Sequence, residues 1–198
     1  MRKTLFGPLT AVFLALAVQP AQAQVTTSSR GLRAEGQVGL DRFQSQGTHR
    51  NKLGYGGAGG FDGVVNDRFV IGAEASYWRG NKWSENCTPG TIGGGTLCTK
   101  SFEELGAALR AGMLVRPNIL AYVSGGYVNN EQRKRFSAPR GQTSFYDHYR
   151  TDGYQVGGGV EYSLTDRYFV NAAYKYSQYS DHTARQRAMM GFGVRFNP

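Results

Sequence analysis

Apolar and polar residues alternate along this chain in segments that recur at a fixed spacing. Segments 55–65, 105–115 and 154–164 alternate with a period of two, and each runs into a short polar turn opening at Asn66, Arg116 or Thr165. A second alternating segment follows each turn and carries Tyr77, Tyr127 or Tyr176 at the equivalent place, so the units lie 50 and then 49 residues apart. Strand, tight turn, strand and long polar link, repeated at this interval, predict the hairpins of an up-and-down β-barrel.

Eight strands follow from the alternation: 32–43, 53–65, 69–78, 102–115, 119–128, 152–164, 168–179 and 187–196. One face of each is apolar, as in Leu32, Ala34, Val38 and Leu40, or Ala188, Met190, Phe192, Val194 and Phe196. The other face is polar. It carries Glu35, Asp41, Asp62, Glu74, Glu104 and Glu161 together with Arg33, Arg110, Lys175, Arg187 and Arg195. Six acids against five bases on enclosed faces predict a network of ion pairs, because a charge held away from bulk water must be matched. Apolar residues outside and charged residues inside invert the pattern of a soluble barrel and predict an all-β, eight-stranded antiparallel transmembrane barrel. Links 44–52, 79–101, 129–151 and 180–186 are long and polar, predicting loops on the opposite side from the short turns.

The chain begins with Arg2 and Lys3, an apolar run over 5–18, and Ala21-Gln22-Ala23. This is the layout of an export signal (1–23) cleaved after Ala23, leaving 24–198 as a single barrel domain. The full sequence carries 23 basic and 14 acidic side chains, and losing Arg2 and Lys3 leaves 21 against 14. Export argues against nucleic acid as the acidic partner; the phosphates of an outer-membrane lipid surface fit better. Gly (28), Tyr (12) and Phe (11) are abundant, which suits short strands in a closed sheet. Cys87 and Cys98 are the only cysteines and share one polar link of an exported chain, predicting a disulfide that holds a flexible tip over 90–97. No histidine lies near them in sequence, and neither a metal nor a cofactor is expected.

Several stretches resemble the small OmpA-like, opacity-protein-like outer-membrane β-barrels of proteobacteria. They are Ala34-Glu35-Gly36-Gln37-Val38-Gly39 at the start, Val160-Glu161-Tyr162 before the last turn, Asn171-Ala172-Ala173-Tyr174-Lys175-Tyr176-Ser177 after it, and the closing Gly191-Phe192-Gly193-Val194-Arg195-Phe196. The resemblance covers essentially the whole mature chain. It implies residence in the outer membrane of a Gram-negative bacterium as a non-catalytic structural protein, surface antigen or adhesin. It also implies that Phe192, Val194 and Phe196 belong to the signal read by the barrel-assembly machinery. That signal ends on an aromatic residue in the family, whereas Asn197 and Pro198 follow it here.

The candidate functional residues fall into two groups. Glu35, Asp62, Glu74, Glu104, Arg110, Glu161, Lys175, Arg187 and Arg195 form the lumen network, expected to plug the barrel. Arg133, Lys134, Arg135, Arg140, Tyr146 and Tyr149 interleave basic and aromatic side chains in the third link, suited to phosphate or sulfate groups of lipopolysaccharide or host surface molecules. Trp78, Trp83, Tyr146, Tyr149 and Tyr179 are expected in an interfacial aromatic girdle. Catalysis on lipid A would need a positioned nucleophile and base. Of the three histidines, His49, His148 and His182, the last two follow Asp147 and Asp181, but strand neighbours point to opposite faces. No serine stands two residues after either, so no catalytic residue is expected.

Overall fold

The computed structural model describes residues 31–45, 48–81, 86–91, 94–139, 143–180 and 183–196. The export signal and its cleavage site, Trp83, Arg140, His182 and the Asn197-Pro198 extension lie outside them. The described residues form β1 (Gly31–Ser45), β2 (Thr48–Val65), β3 (Phe69–Gly80), β4 (Asn86–Thr91), β5 (Gly95–Arg116), β6 (Ile119–Ser137), β7 (Phe145–Ser163), β8 (Tyr168–Tyr179) and β9 (Thr183–Phe196). All pairings are antiparallel between sequence neighbours, except that β1 closes on β9 and β3 pairs with β5 as well as β2. Eight strands therefore form the predicted closed ring, and β4 adds to β5 beyond it.

The stagger of this ring can be read from its register. Directly opposed residues run from Ala34 through Gly59, Ala75, Ala107, Tyr127, Tyr154, Gln178 and Ala184 back to β1 at Gln44, ten residues along. Ten residues of stagger over eight strands tilt each strand by roughly 40° and leave an interior that side chains can fill.

The short turns have local causes. Asn66 and Asp67 take positive φ (50° and 56°) at the centre of a β-turn closed by Arg68 N donating to Val65 O at 3.4 Å, and both are residue types that tolerate the left-handed region. The Thr165 hydroxyl accepts from the backbone N–H groups of Arg167 and Tyr168 at 3.2 and 3.0 Å. Each turn also bonds the next hairpin: Leu114 N to Arg68 O at 2.8 Å, Ser163 N to Asn118 O at 2.9 Å, and Arg195 N to Arg167 O at 2.7 Å.

The faces follow the alternation. Leu32, Val38, Leu40, Ile71, Leu109, Val123 and Met190 are exposed on the outer wall, up to 71% for Leu109 and Met190. Tilt and register set Tyr55, Tyr77, Tyr127, Tyr154 and Tyr176 at one height as the upper girdle. Phe69, Tyr162, Tyr168, Phe192 and Phe196 mark the lower end, where the Tyr168 and Phe192 rings stack at 5.9 Å.

The expected girdle residues need correcting. Trp78 and Tyr179 are 1% and 2% exposed and lie inside the barrel. Their parity decides this, since outward Tyr77 is adjacent to Trp78. Tyr149 faces the inner side of the β6–β7 hairpin, opposite Gln132, and Tyr146 stands above the rim.

Most of the expected loops are strand. β1 and β2 continue to Ser45 and from Thr48, β6 runs to Ser137, β7 starts at Phe145, and β9 starts at Thr183. The 90–97 tip belongs largely to the β4–β5 hairpin, whose pairing reaches Thr91 and Gly95. The apolar outer face ends where lipid ends, but the backbone ladder continues into water on polar side chains, so hydropathy understates strand length.

Glycine on β2 makes room for the inward tryptophan. A Cβ on Gly54 would lie 2.4 Å from the Trp78 ring. Gly54→Ala is expected to destabilise the barrel by about 1–3 kcal/mol, read as a lower denaturant midpoint in detergent micelles. An unchanged midpoint would place Trp78 elsewhere.

Candidate functional site

The lumen holds two ion clusters. In the lower one Arg33 meets Glu74 at 2.5 Å, Asp62 at 3.2 Å and Glu35 at 3.7 Å. Arg110 meets Glu161 at 2.9 Å and Asp62 at 3.7 Å, Lys175 meets Glu74 at 2.5 Å, and Arg195 pairs with Glu161. Asn171 donates to Glu35 at 3.2 Å and accepts from the Tyr122 hydroxyl at 3.0 Å. In the upper cluster Arg187 meets Glu104 at 2.5 Å, and Arg185 meets Asp41 at 3.2 Å and Glu104 at 3.7 Å. The Tyr179 hydroxyl donates to Glu104, and the Trp78 indole donates to Asp41 at 3.2 Å.

All nine predicted lumen residues are buried and take part, as do Arg33 and Asp41 on the predicted inner face. Arg185 was missed because the last strand was expected to begin at Arg187; its parity with Arg187 was the available signal. With it, the described lumen charges number six acids and six bases, four of each in the lower cluster and two of each in the upper. Four arginines also lie over rings, with guanidinium-to-centroid distances of 4.0 Å for Arg110 on Tyr122, 4.7 Å for Arg195 on Phe169, 5.4 Å for Arg187 on Trp78 and 5.9 Å for Arg185 on Phe43. A guanidinium can bond carboxylates at its edge and stack on its face at once, which lysine cannot do. Val70, Leu120 and Phe169 are buried at the lower end, and Phe43, Val128 and Tyr179 pack together near the upper one.

A polar collar stands above the upper girdle. The Tyr77 hydroxyl donates to Glu103 at 2.8 Å. The Tyr127 hydroxyl and the Asn129 amide both donate to Asp152 and hold its carboxyl below the usual range.

Higher still, β4, β5, β6 and β7 continue as a four-stranded extension. Cys87 and Cys98 are directly opposed across β4 and β5 and are disulfide-bonded. The predicted basic-aromatic group is divided by strand parity rather than gathered. Arg133 and Arg135 share the outer face with Tyr146, and Arg133 lies 5.4 Å from the Tyr146 ring and 5.6 Å from that of Phe102. Lys134 is on the inner face, 4.8 Å from the Tyr149 ring, near stacked Phe136 and Phe145. Lys100 and Phe102 of β5 complete the outer cluster, with the Lys100 ammonium 4.5 Å from the Phe102 ring. They escaped notice because they sit about thirty residues upstream and meet Arg133 only through the β5–β6 register.

His148 also faces outward and pairs with Glu131 at 2.6 Å, while Asp147 lies on the other face opposite Lys134. The two are thus not assembled as an acid–base pair. Phe192, Val194 and Phe196 lie along the outer face of β9, with Phe196 opposite Leu32 at the seam.

The sequence profile of the outer membrane protein beta-barrel domain matches residues 9–196. The chain belongs to this outer-membrane β-barrel family. No curated protein sequence matches it. Among solved structures this barrel is similar to Ail, the attachment invasion locus protein of Yersinia pestis, solved in complex with the heparin analogue sucrose octasulfate. That match has 14% identity, covers 84% of this chain and 99% of Ail, and has a TM-score of 0.55. Neisserial surface protein A matches at 15% identity, 84% and 97% coverage and TM-score 0.55. OprG from Pseudomonas aeruginosa matches at 11%, 86% and 98%, with TM-score 0.51. At these identities the likeness is one of fold, that of small outer-membrane barrels.

The lumen of this barrel predicts a contrast between adjacent residues. Glu104→Gln leaves Arg185 and Arg187 without a shared carboxylate and is expected to cost about 3–5 kcal/mol. Glu103→Gln, on the outer face, is expected to cost less than about 1 kcal/mol. Equal losses in denaturant titrations of the two variants would contradict the assignment of faces.

Proposed function

We propose that this chain is a non-enzymatic outer-membrane barrel with a structural envelope role, which also mounts its outer segments rigidly at the cell surface. The observation that supports this is the lumen: a charge-balanced, ring-stacked interior is a plug rather than a passage. The export signal is cleaved after Ala23, Phe192, Val194 and Phe196 supply the assembly signal, and the collar meets lipopolysaccharide headgroups. The test is detergent and large-antibiotic sensitivity of a deletion strain. Complementation uses either the full protein or one in which a two-residue turn replaces 133–148, joining opposed Gln132 and Tyr149. Equal rescue is expected. An inserted but inactive short form would move the function to the surface. In planar bilayers the protein is expected to show no sustained conductance.

A second reading is favoured by the outer cluster of Phe102, Arg133, Arg135 and Tyr146, beside which Lys100 is buried. It would bind phosphate- or sulfate-bearing sugars; Ail, which shares the fold, was solved with one sulfated sugar, the heparin analogue sucrose octasulfate. Arg133→Ala with Arg135→Ala is expected to weaken retention on an immobilised sulfated glycan by about tenfold or more, without moving the unfolding midpoint. Wild-type retention that is insensitive to salt would oppose this reading.

A further inference from the structure

The extension above the rim is an open sheet in the order β4-β5-β6-β7, so it has two edges. They are built differently. β4 is six residues long, contains Pro89, shifts register between Pro89 and Thr91, and is tied to β5 by the disulfide. Shortness, proline and irregularity each blunt an edge against further pairing. β7 has none of these. Its pairing with β8 begins at Gly153, opposite Tyr179, so among the described residues 145–151 pair with β6 alone. Over that stretch the register to β6 is unbroken from Phe145 opposite Phe136 to Thr151 opposite Asn130, and it contains neither proline nor glycine.

The direction of the free backbone groups is fixed by a neighbour. Ser180 N donates to Asp152 O at 3.1 Å, so the backbone groups of Asp152 point toward the β8 side. By strand alternation those of Tyr146, His148 and Arg150 point the same way, past the end of β8, where no strand among the described residues pairs with them.

We propose that residues 145–151 of β7 form a β-addition site for an extended segment of another protein. The segment would be acidic on one face and aromatic or aliphatic on the other. Main-chain hydrogen bonds to an open edge give affinity, and alternate side chains give selectivity. On the outer face an added strand runs beside Tyr146, His148 and Arg150, with Arg133 and Arg135 one strand further in. His148 is engaged by Glu131, but Arg150 donates to the neutral Asn129 carbonyl at 3.2 Å and keeps its charge for an incoming carboxylate. On the inner face the added strand runs beside Phe145, Asp147 and Tyr149; Asp147 lies opposite Lys134, and the two rings favour apolar residues on the incoming strand.

The test uses full-length protein in detergent micelles and a labelled peptide of about nine residues, enough to span the edge, alternating glutamate with valine and phenylalanine. Saturable binding is expected, with amide exchange slowed at Tyr146, His148 and Arg150 but not at Asp147 or Tyr149. N-methylation of alternate peptide nitrogens is expected to abolish binding. His148→Pro removes an edge-facing N–H and leaves the β6 ladder and both outer-face arginines intact, and is expected to weaken binding by about tenfold. Migration as a folded species on unheated gels checks that this variant folds. Arg150→Glu is expected to turn preference toward a lysine-alternating peptide. No binding, equal binding of the N-methylated peptide, or equal binding by folded His148→Pro would overturn the proposal. So would peptide-free clustering of vesicles bearing the protein that His148→Pro abolishes, because the edge would then take a second copy.

Discussion

A barrel of eight strands is too narrow to hydrate the charges inside it, so every lumen charge has to find its counter-charge in another side chain. The rest of the architecture answers to that requirement. The register must bring Arg33 of β1 to Asp62 of β2 and Glu74 of β3, and Arg110 of β5 to Glu161 of β7. Arginine dominates the cations because it can serve carboxylates at its edge while an aromatic ring covers its face. Glycines on β2 then yield the volume that Trp78 occupies beside Asp41 and Arg187.

The ring, its eight strands and the sorting of residues between faces were legible from alternation alone. This is because lipid on one side and a closed interior on the other impose opposite demands on adjacent residues. Within the membrane that contrast is sharp, and Leu109 and Arg110 lie at opposite extremes of exposure. Above the collar both faces meet water and the contrast fades. There the sequence looked like loop while β5, β6 and β7 carried on, and Arg185 fell outside the expected last strand. The aromatic girdle was misread for a different reason. Residue type alone suits Trp78 and Tyr179 to an interface, while their parity puts them inside.

The same parity governs the surface. Arg133, Lys134 and Arg135 are consecutive and look like one basic patch. A strand sends the middle one to the opposite side, and the partners that replace it, Lys100 and Phe102, come from β5. A linear basic motif on a ladder is therefore half of a site, completed by whatever the register sets beside it.

The balance is unevenly divided along the chain. Arg185, Arg187 and Arg195 all come from β9, so the strands β1 to β8 together enclose six acids and only three bases. Without β9, which pairs with both β8 and β1, the interior would hold twice as many acids as bases. The strand that removes the two open edges of the ring also brings half of its positive charge. Closure of the sheet and neutrality of the core therefore depend on the same strand, and a ring of seven strands would leave the interior unsatisfied electrically as well as sterically.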